Sequence, residues 1–143
     1  MHSSPSRNPF VWYARCFRRF ADFEGRARRW EYWSFTFVNV LVAFVIGFIG
    51  ALAADDPSGT AAHLPGWIYI AIVFVPSLAV SVRRLHDTGR SGLWLLLQFI
   101  PYVGALVLLV FMAMDGDDGP NGYGHSPKSP EPVDLGELEQ VFG

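Results

Sequence analysis

The chain has 143 residues, too few for two ordinary domains; half are apolar and 17% charged, well below the quarter typical of soluble proteins. Its one cysteine, Cys16, excludes an intramolecular disulfide and a cysteine-built metal site. The net charge of −2 hides a segregation: residues 1–31 carry +4, residues 83–90 carry +2, the Asp55–Asp56 loop carries −2 and residues 115–143 carry −6.

Taken in order, Met1–Asn8 is polar and reads as a disordered end. From Pro9 to Phe23 the period changes to that of a helix: Phe10, Tyr13, Phe17 and Phe20 share one face, and Arg15, Arg18 and Arg19 the other. That pattern predicts an amphipathic helix lying in a membrane interface, with a helix packed on protein as its competitor. FEGRARRWEYW follows, with a joint at Gly25, cations at Arg26, Arg28 and Arg29, and an aromatic belt of Trp30, Tyr32 and Trp33. Glu31 stands where the apolar region begins. A carboxylate there needs a partner, and the expected one is Arg83 or Arg84 across the bundle.

Three uncharged runs come next: 23 residues from Tyr32 to Ala54, 26 from Pro57 to Val82, and 24 from Ser91 to Met114. A bilayer core of about 30 Å needs about 20 helical residues, so each run is long enough to cross. Three such runs in a soluble protein would leave no amphipathic helix to cover them. Ala51-Leu52-Ala53 has the look of a signal-peptide cleavage site, but the apolar region is too long and begins too late. The expected fold is all-α, a membrane helical bundle of about three transmembrane helices preceded by an amphipathic interfacial helix. The membrane domain covers 9–114, with the interfacial helix at 9–23 and spans at about 32–54, 64–82 and 91–114. The tail 115–143 is acidic and rich in Gly and Pro, with a capping-box spacing at Asp134 and Glu137.

Because cytoplasmic flanks carry the Arg and Lys excess, the amino terminus and the Arg83–Arg90 loop are expected inside and the Asp55 loop outside. The third run is interrupted by IPYVG, residues 100–104. A kinked span is favoured on charge grounds; the alternative is a re-entrant hairpin that brings the tail back beside the arginines. Pro76 is expected to kink the second span. Ala43, Gly47 and Ala51 repeat every fourth residue, either as an internal seam or as the face of a homo-oligomer. Asn39 and Gln98 are the deepest uncharged polar residues, expected to act as interhelical glue.

FEGRARRWEYW, RRLHDTGRSGLW, IPYVG and GPNGYGHSP, in that order and spacing, resemble the YhaH-like bacterial inner-membrane family, a domain of unknown function (805). The likeness runs from about Tyr13 to Pro127. It implies a small bacterial multi-pass inner-membrane protein with an intracellular Arg-His-Asp segment, and brings no activity. The extra amino-terminal residues and the acidic tail beyond Pro130 depart from the pattern.

The densest polar stretch is VRRLHDTGRSG, residues 82–92. A catalytic reading would rest on His86 and Asp87, but metal hydrolysis needs three or four ligands, and His2 and His63 lie elsewhere; only His125 could join His86, and only in the hairpin topology. No nucleophile motif or phosphate loop is present, so no catalytic residue, metal or cofactor is expected. The anchoring reading uses every residue: Arg83 and Arg84 close the second span against the helix dipole and reach lipid phosphates, Thr88-Gly89 turns, and Ser91 caps the next helix. His86 and Asp87 then bond the turn backbone or neighbouring groups. The favoured function is a noncatalytic membrane protein whose rim of Arg26, Arg28, Arg29, Arg83, Arg84, His86, Asp87 and Arg90 binds anionic lipid headgroups or an acidic partner. No nucleic-acid partner is expected. The alternative is a small transporter or channel component with Asn39, Gln98 and the Pro101 break along a polar path.

Overall fold

The computed structural model describes residues 9–56 and 58–128, all of whose regular elements are helical. The disordered end expected at 1–8 and the capping box at Asp134 lie outside the described residues. Helix α1 covers Pro9–Arg18, α2 Arg29–Ala53 and α3 Thr60–Asp87; a 3-10 helix, Gly92–Phe99, and α4, Val103–Ala113, follow. Helices α2 and α3, of 25 and 28 residues, are long and apolar enough to cross a membrane. Each extends beyond its uncharged run at the arginine end, so Arg29 opens α2 and Arg83, Arg84 and Asp87 close α3.

At the far end α2 lies tightly against α3, where a Cβ on Gly50 would overlap the carbonyl oxygen of Ala62. A Cβ on Gly47 would meet nothing within 4 Å. Gly47 therefore does not pack between the two spans, and Gly50 does.

At the near end α1 packs against α2. Tyr13 stacks on Phe35 with ring centroids 5.4 Å apart, Phe17 tilts against the same ring at 5.9 Å, and Cys16, Ala27, Phe35 and Val80 form the buried cluster beneath them. The aromatic face of α1 is thus divided: Tyr13 and Phe17 are held by protein, while Phe10 and Phe20 remain exposed. A hydroxyl chain ties the helix further, with Tyr13 Oη 3.3 Å from Tyr69 Oη, which donates to Asn39 Oδ1 at 2.6 Å.

The third apolar run is not one kinked helix. Pro101 has no N–H and drives Ile100 out of helical geometry (φ −89°, ψ 110°). Tyr102 then takes a left-handed φ of 59°, and Val103 N donates to Pro101 O at 2.6 Å across it, closing a tight γ-turn. The two halves fold together so closely that a Cβ on Gly104 would overlap the Leu97 carbonyl, and Trp94 meets Phe111 edge-on at 5.4 Å. With 8 and 11 residues, neither half reaches crossing length. The run is a hairpin, and Met114, at its end, returns to hydrogen bond with Arg84.

Candidate functional site

Three segments meet at the end of the bundle: the joint 25–31 before α2, the last turns of α3, and the strap 112–127 that follows the hairpin. The joint runs beside α3, where Ala27 N donates to Arg83 O at 3.0 Å. The apolar run of α3 ends at Val82, so Arg83, Arg84 and Asp87 lie on its last turns, buried although charged. The strap covers these turns.

Asp87 is the hub. Its Oδ1 accepts from Arg26 Nε at 2.9 Å and its Oδ2 from Arg84 Nη1, and all three side chains are buried. The guanidiniums then reach strap carbonyls. Arg26 donates to Asp117 O and Gly119 O, each at 2.6 Å; Arg84 donates to Met112 O at 3.1 Å and to Met114 O. Asp117 N returns a bond to Asp87 O at 2.7 Å, and Asn121 Nδ2 donates to His86 O at 2.9 Å. One carboxylate thus faces two cations, the excess charge being offset by carbonyl dipoles and by the negative end of α3. A second buried pair lies alongside, where Arg83 Nη1 donates to Glu31 Oε1 at 2.8 Å. Cys16 donates its S–H to the same oxygen at 3.7 Å. Burial, and then the charge of Glu31, pushes the Cys16 thiol up to about 12.

The outer edge is different in kind. Arg28 Nε donates to Pro127 O, Arg29 pairs with Asp115 at 2.6 Å with its side chain 48% exposed, and Arg90 lies over the Phe111 ring at 4.2 Å. The Arg29 guanidinium, by hydrogen bond and charge, holds the Asp115 carboxyl below its ordinary value.

The structure corrects the direction in which the rim faces. Arg83 and Arg84 are 0% exposed and Arg26 is 6% exposed, so these three do not reach lipid phosphates. A guanidinium presents a fork of donors, and strap carbonyls take up those of Arg26 and Arg84, whereas among the described residues Arg83 donates only to Glu31. His86 and Asp87 do not form a pair: Asp87 serves the two arginines, while His86 stacks on Tyr123 at 3.9 Å and 3° and its Nδ1 lies 3.1 Å from Gly25 O. Tyr123, not His125, meets His86. Among the described residues no three His, Cys, Asp or Glu side chains gather where a metal would sit. Thr88-Gly89 makes the expected turn, with Gly89 at φ 69°, and Ser91 Oγ accepts from Leu93 N at 3.1 Å. Asn39 is turned toward Tyr69, whereas Gln98 is exposed on the 3-10 helix, so the two polar residues share no path.

Sequence reasoning missed the strap. Asp115, Asp117, Asn121 and Tyr123 lie in what reads as a tail of turns, and the only available signal was that GPNGYGHSP recurs among the family-like segments. Three of those four segments build this network; the fourth, IPYVG, is the hairpin tip.

The family profile described as "Protein of unknown function (DUF805)" matches residues 20–125, from the end of α1 to the end of the strap. The chain belongs to the DUF805 family. Its DUF805 relatives in Escherichia coli K12 include inner membrane protein YhaI, 44% identical over 119 residues (82% of this chain, 95% of YhaI), and inner membrane protein YhaH, 42% identical over 117 residues (82% and 96%). The uncharacterized protein YiiR of the same strain is 30% identical over 131 residues, covering 72% of this chain and 84% of YiiR. No solved structure matches. With two helices of crossing length and inner-membrane relatives, this DUF805 chain is an integral, helical membrane protein, and the relatives support the bacterial inner membrane as its location.

Proposed function

We propose that this protein is a noncatalytic, multi-pass membrane protein with its amino terminus and rim on the cytoplasmic side, whose outer rim cations hold anionic lipid headgroups while Arg26 and Arg84 clamp the strap. The +4 of residues 1–31 and the −2 of the Asp55–Asp56 loop support that orientation. The observation that carries the reading is the split of the rim: Arg26, Arg83 and Arg84 are buried, whereas Arg29 stays half exposed beside exposed Trp30, and Arg90, partly exposed, precedes exposed Trp94 at the start of the hairpin. Arginine beside tryptophan at the edge of apolar helices is the composition of a headgroup layer. The hairpin then enters the cytoplasmic leaflet from the rim, its exposed Leu93, Leu96, Phe99, Val103 and Leu106 against acyl chains.

The test is native mass spectrometry of protein released from bilayers of equal phosphatidylglycerol and phosphatidylcholine. Retained lipid enriched in phosphatidylglycerol, and losing that enrichment in the Arg29→Gln, Arg90→Gln double variant, is the expected result. Equal retention of the two lipids by the unaltered protein refutes it.

One observation favours a second reading, a route for a small solute. A cavity of about 220 Å³ between α2 and α3 is lined by Tyr32, Thr36, Asn39, Ser77 and Ser81 together with Phe35, Val40 and Val80. Solute uptake into vesicles that is abolished by Asn39→Leu would support it.

A further inference from the structure

The two ends of the chain that fall outside the family match of residues 20–125 carry opposite charge. Residues 1–19 hold Arg7, Arg15, Arg18 and Arg19 and no acid; residues 126–143 hold Glu131, Asp134, Glu137 and Glu139 against Lys128 alone. In the second, VDLGELEQVFG also spaces Leu135, Leu138 and Phe142 so that a helix would carry them on one face.

The first end supplies a cationic surface. Ala14, Arg15, Arg18 and Arg19 line a hollow of about 460 Å³ on α1, with Phe10 and Phe20 exposed near the two ends of the helix. Arg19 shares its charge with Asp22 at 2.5 Å, and Arg18 stands exposed. The strap brings the second end beside the joint that follows α1. Pro127 O accepts from Arg28, and Arg19 lies close to the Gly25 joint, where a Cβ on residue 25 would stand 3.8 Å from its Nη2. Three further residues beyond Lys128, roughly 10 Å when extended, bring Glu131 into reach. A segment tethered so closely faces its site at an effective concentration of order millimolar, above that of any free partner of similar charge.

We propose that residues 131–142 dock on the arginine face of α1 within the same molecule. Each charged end is then the counterpart of the other, which accounts for their occurring together. The docking does not depend on lipid at Arg29 and Arg90.

The experiment uses the full chain in nanodiscs containing both phosphatidylcholine and phosphatidylglycerol. Cys16 is replaced by serine, and Ala14→Cys is combined with Gln140→Cys, two positions that leave every charge in place; a short bismaleimide then reports their proximity. The expected result is a cross-link within one chain, reduced at least about fivefold in about 0.5 M salt and when Glu131, Asp134, Glu137 and Glu139 are all made amides. Reversing Arg15 and Arg18 to glutamate removes it, and changing Glu137 and Glu139 to lysine in that variant restores it, which separates docking from misfolding. A cross-link joining two chains assigns the face to a second copy and overturns the proposal. So does a cross-link present in pure phosphatidylcholine but lost with phosphatidylglycerol, which assigns the face to lipid, and so does no cross-link in either bilayer.

Discussion

Gly116 lies directly against the carboxylate of Asp87: a Cβ at residue 116 would stand 1.9 Å from Oδ2 and 2.4 Å from Cγ. Asp87 has nowhere to retreat, since each of its oxygens is held by an arginine. Gly116→Ala is therefore expected to lift the strap rather than shift the hub. The overpacking is of order 1–3 kcal/mol. Limited proteolysis within residues 115–128 checks it: cleavage should accelerate while α2 and α3 stay intact.

Removing the hub itself is worse. Asp87→Ala leaves Arg26 and Arg84 buried without their carboxylate, which costs about 3–5 kcal/mol. The two buried arginines of α3 should then separate in a conservative series. Arg84 uses Nε, Nη1 and Nη2, so Arg84→Lys loses bonds to Met112, Met114 or Ala27 and destabilises strongly. Arg83 meets Glu31 through Nη1 alone, while its Nε and Nη2 have no protein acceptor among the described residues, so Arg83→Lys is expected to be mild. Thermal unfolding in detergent should rank Arg84→Lys well below Arg83→Lys; the reverse order would refute the division.

Cys16 is a reporter of α1 docking. Its thiol, pushed up to about 12, is buried beside Glu31, so maleimide labelling at about pH 8 should be slow. Tyr13→Ala removes the stacking on Phe35 and the hydroxyl link to Tyr69, and should raise the labelling rate at least about tenfold. The sign for stability follows from the raised value: the neutral thiol contributes fully below its unfolded value near 9, and that contribution is lost as pH rises toward about 12. Cys16→Ser should flatten the alkaline loss.

Asp115 works in the opposite direction. Arg29 depresses its carboxyl, so the stabilisation is present above the ordinary value of 3.8 and is lost as pH falls through the depressed one. Both partners are largely exposed, so the effect is small beside that of Asp87. Unfolding midpoints of wild type and Asp115→Asn should differ near neutrality and converge below about pH 4.

Much of this fold is legible in charge-free length. The runs from Tyr32 and Pro57 become α2 and α3, and Pro101 with Gly104 marks the break between the hairpin's halves, but the charge pattern favours a kinked span where the chain folds back. That choice rests on the γ-turn at Tyr102 and the closeness of Gly104 to Leu97, which are backbone facts. The cluster at the rim is legible as residue types and not as direction. Whether Arg84 faces lipid or protein depends on the carbonyls of Met112 and Met114, and carbonyls leave no trace in composition. Glu31 was legible to within two partners, because a carboxylate at the start of an apolar helix must find a cation, and the structure selects Arg83.

The hairpin of residues 92–113 begins and ends at the arginine rim, and among the described residues the far end of the molecule holds α2 and α3, with Gly50 against Ala62. More of the described chain therefore stands at the rim end than opposite. With the hairpin seated in one leaflet, as proposed above, that asymmetry displaces more area from one leaflet than from the other, so binding to small vesicles should differ from binding to flat membranes.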